Sequence, residues 1–258
     1  MNQHFNLTRF GLFLKYYWAE NSRSYLISLG LVLGIMLLLM LPIVRSTHYN
    51  EMLFFLHALG WFGGVLLGGS LYTSTAFNAY ASPERGVSTI MLPASRLEKF
   101  AAILLAHLFF VVLIYLVGYW LHDSLVALAN QAIPNDMRLY SAAPYEVLLT
   151  LGFSYAILQG AVFLGSLYFP KNSLIKTLGI LLVVVVLTFV FNLSLAYHFT
   201  GYPQNVMAFP FSPWNLFDGQ RYLISYPSPI SDVVKAFLGL VVVALVGITY
   251  VRLKEKEI

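Results

Sequence analysis

Side chains able to do chemistry are sparse in this chain. There is no cysteine among 258 residues, which excludes disulfides, thiolate metal sites and a cysteine nucleophile without identifying the compartment. His57 and His107 raise the possibility of bis-imidazole haem ligation. Each lies in a long apolar segment, His57 about five residues from one end and His107 about ten from the opposite end of the next, so at 1.5 Å per residue they fall at different depths and no haem is expected. Glu146, Asp232 and Lys235 sit near the ends of apolar segments. No carboxylate pair, H-E-x-x-H or serine–histidine set falls at a common depth, so a membrane-embedded enzyme is disfavoured. An ion-coupled transporter needs intramembrane acids or bases, and the broken-helix inverted repeat of many secondary transporters is not evident. Gln159 and Asn192 are polar residues near mid-segment, and each is expected to make a helix–helix hydrogen bond rather than touch a substrate. No G-x-x-x-x-G-K-[ST] loop occurs, so ATP hydrolysis is not expected in this chain.

The polar residues concentrate instead in "ASPERGVSTIMLPASRLEKF", residues 81–100. Ser82 can cap a short helix with Pro83 in its first turn and Glu84 near its positive end. Pro93 disfavours helix at Leu92, so the short helix should end by about Met91. Ser95-Arg96-Leu97-Glu98 has the spacing of a capping box and would start the next long helix. A plain charged loop is the simpler reading. Length and the mixture of acid and base favour a structured element.

The elements around this stretch follow from composition. The chain is 59% hydrophobic and 10% charged, with mean hydropathy +0.75, where soluble domains carry roughly 25% charged residues. About 20 apolar residues cross a bilayer. Six segments qualify, at about 24–44, 52–80, 97–121, 145–169, 174–197 and 233–252. The start of the chain lacks the pattern of a cleavable signal peptide, so the first segment is expected to be a retained span. Arg9, Lys15, Arg23, Arg85, Arg96, Lys99, Lys171, Lys176, Arg252, Lys254 and Lys256 fall on one side of a six-span arrangement, against Arg45, Arg138, Arg221 and Lys235 on the other. The positive-inside rule then makes both termini and residues 81–100 cytoplasmic. Topology therefore explains the net charge of +4, and no nucleic-acid partner is expected.

Residues 1–22 are expected to form an amphipathic interfacial helix, with Leu7, Phe10, Leu14, Tyr17 and Trp18 at helical spacing and the polar "ENSRS" separating it from the first span. The loop at about 198–232 is dense in aromatics and proline. It reads either as an interfacial aromatic belt or as short re-entrant helices, one starting at Pro213 with Ser212 as cap. Gly60, Gly64 and Gly68 repeat G-x-x-x-G, which marks helix packing or a dimer interface. Gly152, Ala156 and Gly160 continue the theme. The expected fold is a single all-α transmembrane domain over 1–258.

With these features in place, the chain resembles the membrane subunits of ABC-2-type (type V) transporters. The resemblance covers the whole chain by architecture. It is most specific at Leu92-Pro93-Ala94-Ser95-Arg96, which is similar to that family's Leu-Pro-x-Ser-Arg connector. It implies a coupling helix at about 83–91 that docks in a groove of a separate ATPase, with Glu84, Arg85, Val87, Ser88, Ile90, Met91 and Leu92 as contact residues. It also implies that residues 1–22 are the connecting helix and that the loop before the last span carries re-entrant helices. The implied assembly holds two ATPase subunits, which bind ATP and magnesium, and a second permease copy or homologue. This chain would hold no cofactor. The resemblance also implies residence in the bacterial inner membrane and export as the direction of transport. A non-transport membrane scaffold or assembly factor is the alternative.

Overall fold

The computed structural model describes residues 5–80, 91–134, 139–169, 171–201, 205–208, 214–218, 220–224 and 227–256. Six helices among them are long and apolar enough to cross a membrane. They are α1 (Leu7–Met40), α2 (Glu51–Thr73), α3 (Arg96–Gln131), α4 (Tyr145–Tyr168), α5 (Ser173–Thr200) and α6 (Ser228–Lys256). Three short strands, β1 (Asn205–Met207), β2 (Trp214–Asp218) and β3 (Gln220–Ile224), lie between α5 and α6. The chain divides into two compact units, Met1–Leu174 with Leu245–Ile258, and Ile175–Ala244.

In the first unit, α1 is one helix of 34 residues, about 50 Å at 1.5 Å per residue. The break expected at "ENSRS" does not occur. Glu, Asn, Ser and Arg are tolerated in a helix, residues 20–24 include no proline or glycine, and the Asn21 side chain donates to the Tyr17 carbonyl one turn back at 2.9 Å. Phe13, Tyr17, Tyr25, Val32, Met36 and Met40 form one buried stripe running through that stretch. Glu20, Arg23 and Ser24 face outward. The interfacial segment is thus the first part of α1 and not a separate element. A helix of this length exceeds a hydrocarbon core of about 30 Å.

Asn50 caps α2, its side chain accepting from the Leu53 N–H at 3.1 Å. The helix ends at Thr73, short of the expected residue 80. There the hydroxyls of Thr73, Ser74 and Thr75 turn back to the carbonyls of Gly69, Leu71 and Tyr72, and such local bonds compete with helix continuation. Helix α3 overshoots its apolar run by ten residues. Its extension keeps an apolar stripe of Leu125, Val126 and Ala129 buried at helical spacing. Between α4 and α5, Asn172 adopts φ 56°, a left-handed conformation that asparagine tolerates.

Close crossings set the packing of α1 against α2. A Cβ at Gly64 would lie 2.1 Å from Met36 Cγ, one at Gly68 would lie 2.4 Å from Val32 Cγ1, and one at Gly60 would lie 2.7 Å from Leu39 Cβ. The glycine ridge is therefore filled by α1 of the same chain, in antiparallel order. Gly118 of α3 does the same for Val65, at 2.6 Å. Gly160 of α4 receives Leu245 of α6 at 3.2 Å.

Two buried layers result. One contains Phe13, Tyr17, Tyr72, Phe100, Phe163 and Leu253; the end of the unit it occupies, where α1 begins and α6 finishes, is called proximal. The other contains Met40, Ile43, Trp61, Leu125, Val126 and Tyr140 and marks the distal end.

In the second unit, β1 pairs with β2 and β2 with β3, both antiparallel, with Leu216 opposite Val206 and Tyr222. The Asn192 side chain donates to the Ala208 carbonyl at 2.9 Å. Residues 214–218 and 220–224 are therefore strands, not the re-entrant helix expected to begin at Pro213; Ser212 and Pro213 themselves lie outside the described residues. Aromatic and aliphatic residues favour a pleated surface, while the proline density of this segment works against helix.

Candidate docking site at the proximal end

Ser95 and Glu98 form the full capping box at the start of α3. The Ser95 N–H donates to Glu98 Oε2 at 2.7 Å, and the Glu98 N–H donates to Ser95 Oγ at 3.3 Å. The other carboxylate oxygen reaches across to α1. Glu98 Oε1 accepts from the Asn6 N–H at 2.6 Å and from Arg9 Nη2 at 3.1 Å. Asn6 in turn caps α1, its Oδ1 accepting from the N–H groups of Thr8 and Arg9. One carboxylate, with no exposed surface, thus ties the first residues of two spanning helices together. A buried ion is tolerated only when its lone pairs are filled, and here backbone donors and a guanidinium fill them. The helix N-termini add favourable positive potential.

A second tie joins the other pair of proximal ends. Lys256 Nζ, at the end of α6, donates to the Leu167 carbonyl near the end of α4 at 2.6 Å. The Arg252 guanidinium lies 4.7 Å from the Tyr168 ring centroid and 2.6 Å from Glu255.

Of the residues expected to contact an ATPase, Glu84, Arg85, Val87, Ser88 and Ile90 lie outside the described residues. Met91 is 79% exposed. Leu92 packs with Ala94 against the proximal layer, so its side chain serves this chain's own core. The connector therefore enters α3 through a short apolar anchor followed at once by the Glu98 node.

The polar residues deeper in the helices are held by their neighbours. Gln159 of α4 lies between Ser70 and Thr73 of α2. With its amide nitrogen toward Thr73, it donates to Thr73 Oγ1 at 2.6 Å and to the Gly69 carbonyl at 3.1 Å. Gly69 leaves the space for it: a Cβ there would lie 2.8 Å from the Gln159 amide. This is the helix–helix bond expected of Gln159, whereas Asn192 bonds the segment after α5. His107 belongs to the proximal layer, packed edge-on to Tyr25, with ring centroids 5.8 Å apart. His57 belongs to the distal layer and meets a different histidine, His122, at 2.9 Å. Sequence reasoning missed this partner because His122 follows the apolar run of its helix. The available signal was its place on the stripe that continues through Leu125, Val126 and Ala129. The long-range partners of Glu98 were equally invisible, since Asn6 and Arg9 are 92 and 89 residues away.

Among the described residues, no group of three or more histidine, aspartate and glutamate side chains could hold a metal ion. An open groove of about 440 Å³ runs beside α2 and α4, lined by Phe62, Leu66, Val147, Thr150, Leu151 and Ser154. Through Glu98 the residue that caps α3, Ser95, is joined to the start of α1. No protein-family model, curated protein or solved structure matches the chain.

Proposed function

We propose that the chain is the membrane-spanning permease subunit of an ABC-2-type transporter, driven by separate ATPase subunits and working as a pair with a second permease copy or homologue. The observation that carries this reading is the Glu98 node. It sits three residues past the Ser95 cap and joins the connector's exit to the amphipathic start of α1. A docking element there would move two spans at once, which is what alternating access by rigid-body tilt requires. In this reading the proximal end is cytoplasmic, in keeping with the basic residues of both terminal regions, and the coupling element occupies residues 83–91. Glu84 and Arg85 supply its polar contacts; Val87, Ser88, Ile90 and Met91 face the groove of the ATPase, with Leu92 as the pivot against the permease core. ATP and magnesium stay with the ATPase. Export is the direction we assign by resemblance.

The test is co-expression with an ABC ATPase encoded beside it. The complex should survive detergent extraction, and its ATP hydrolysis should differ from that of the free ATPase. A chain that forms no such complex and leaves hydrolysis unchanged would be a membrane scaffold or assembly factor.

A further inference from the structure

His57 and His122 are both buried, with 0% and 3% exposure. Their geometry fixes where their protons lie. His57 Nδ1 is 3.2 Å from the Met40 carbonyl. A carbonyl only accepts, so this nitrogen carries hydrogen, and in a neutral imidazole the other nitrogen is then an acceptor. His57 Nε2 lies 2.9 Å from His122 Nδ1, so His122 Nδ1 must donate. That leaves His122 Nε2 as a bare lone pair. It is buried and, among the described residues, has no hydrogen-bond partner. The indole Nε1 of Trp61 is also unpartnered, but it is a donor only and cannot take a proton.

We propose that His57 and His122 form a tautomer-locked pair whose open His122 Nε2, beside the Trp61 ring, is a binding site for one proton at the distal end. Protonation there keeps every existing bond: His122 Nδ1 still donates to His57, and His57 Nδ1 still donates to Met40. Protonating His57 Nε2 instead would destroy the bond between the rings. The site also contains the group that can hold the charge. The indole of Trp61 stacks on His122 with ring centroids 4.0 Å apart and planes 11° from parallel, within the range at which a cation gains from an aromatic face.

Among the described residues, the surrounding elements bring no competing buried charge. From α1 comes the Met40 carbonyl; from α2, His57 and, at its exposed start, Glu51; from α3, the exposed Asp123. The segments at this end add the exposed Arg45 and His48, with Tyr49 and Tyr140, whose hydroxyl accepts from the Asn50 N–H. The pair links the end of α1 to α2 and α3. The inference does not depend on the transport reading.

Trp61 reports directly, because a protonated imidazole stacked on an indole quenches its emission. The other tryptophans, Trp18, Trp120 and Trp214, are replaced by phenylalanine in the full chain, which is then titrated in detergent from about pH 8 to about pH 4. Emission should fall reversibly along a one-proton curve, with helix content unchanged, and His122→Gln should abolish the fall. A flat profile would overturn the proposal, as would a fall that persists in His122→Gln. If that variant does not fold, nitrogen-15 histidine spectra of the unaltered chain decide, the pair being identified by the coupling between its two hydrogen-bonded ring nitrogens. His122 Nε2 must be bare at the alkaline end and protonated at the acid end. A proton on that atom at the alkaline end, or none at the acid end, contradicts the assignment.

Discussion

Helices α3 and α5 have nearly the same mean hydropathy in their most apolar windows, 2.8 and 2.7, yet 44% of the first window is buried within the chain and 6% of the second. Hydropathy measures avoidance of water, and lipid satisfies that as well as protein does. What separates the two helices is their polar and small residues. Helix α3 buries Glu98, Lys99, His107 and His122 and meets Val65 at Gly118. Helix α5 carries "ILLVVVVLTFVF"; its Thr188 hydroxyl bonds back to its own helix at Val184, and among the described residues a Cβ at Gly179 would meet nothing within 4 Å. Helix association in lipid depends on close packing and interhelical hydrogen bonds rather than on apolarity, so these features identify the surfaces that protein covers.

The largest loss of stability is expected at Glu98. Glu98→Ala removes the acceptor shared by the Asn6 and Ser95 N–H groups and the Arg9 guanidinium, and each buried donor that loses it costs about 1–3 kcal/mol. Thermal denaturation in detergent should show a large drop, with the start of α1 more open to proteolysis. Glu98→Gln, which retains an acceptor, should lose less.

Glycine substitutions should separate α2 from α5. Gly64→Leu places a side chain where a Cβ alone would be 2.1 Å from Met36, and overpacking costs about 1–3 kcal/mol or more. Gly179→Leu in α5 meets open space. Size-exclusion profiles and melting curves should worsen for Gly64→Leu and stay near wild type for Gly179→Leu. Equal damage at both would mean that a partner covers α5.

The smallest effect is expected at Leu182, which is 65% exposed. Leu182→Ala should change stability by no more than about 0.5 kcal/mol, as surface substitutions usually do. A larger loss in the same melting assay would again place a protein partner on that helix.

The fold was legible where one physical rule dominated. Length and apolarity gave six spans, and Ser95 with Glu98 announced the start of α3. The G-x-x-x-G spacing of Gly60, Gly64 and Gly68 marked a close crossing, though not that Val32, Met36 and Leu39 of the same chain fill it. Tertiary contact decided the rest. Polar residues at 20–24 looked like a break, but the stripe joining Tyr17 to Tyr25, whose hydroxyls lie 2.7 Å apart, carries the helix through. Proline and aromatic density in 198–232 fitted helix or belt and concealed three short strands, because strand pairing depends on register across residues that local pattern does not reveal. At the proximal site, the capping box was readable within four residues, whereas its bonds to Asn6 and Arg9 required the folded chain.

Whether the connector before α3 docks a separate ATPase is decided by co-purification of that ATPase with Ile90→Asp and Arg85→Ala. A buried apolar anchor outweighs a rim charge in most interfaces, and an unpaired charge in its place adds a desolvation penalty. Ile90→Asp should reduce the retained ATPase by roughly tenfold or more, equivalent to at least about 1.4 kcal/mol, and abolish any stimulation of hydrolysis. Arg85→Ala should cost less, and membrane insertion should be unchanged in both. ATPase retained at the wild-type level by Ile90→Asp, with normal stimulation, would contradict the docking assignment.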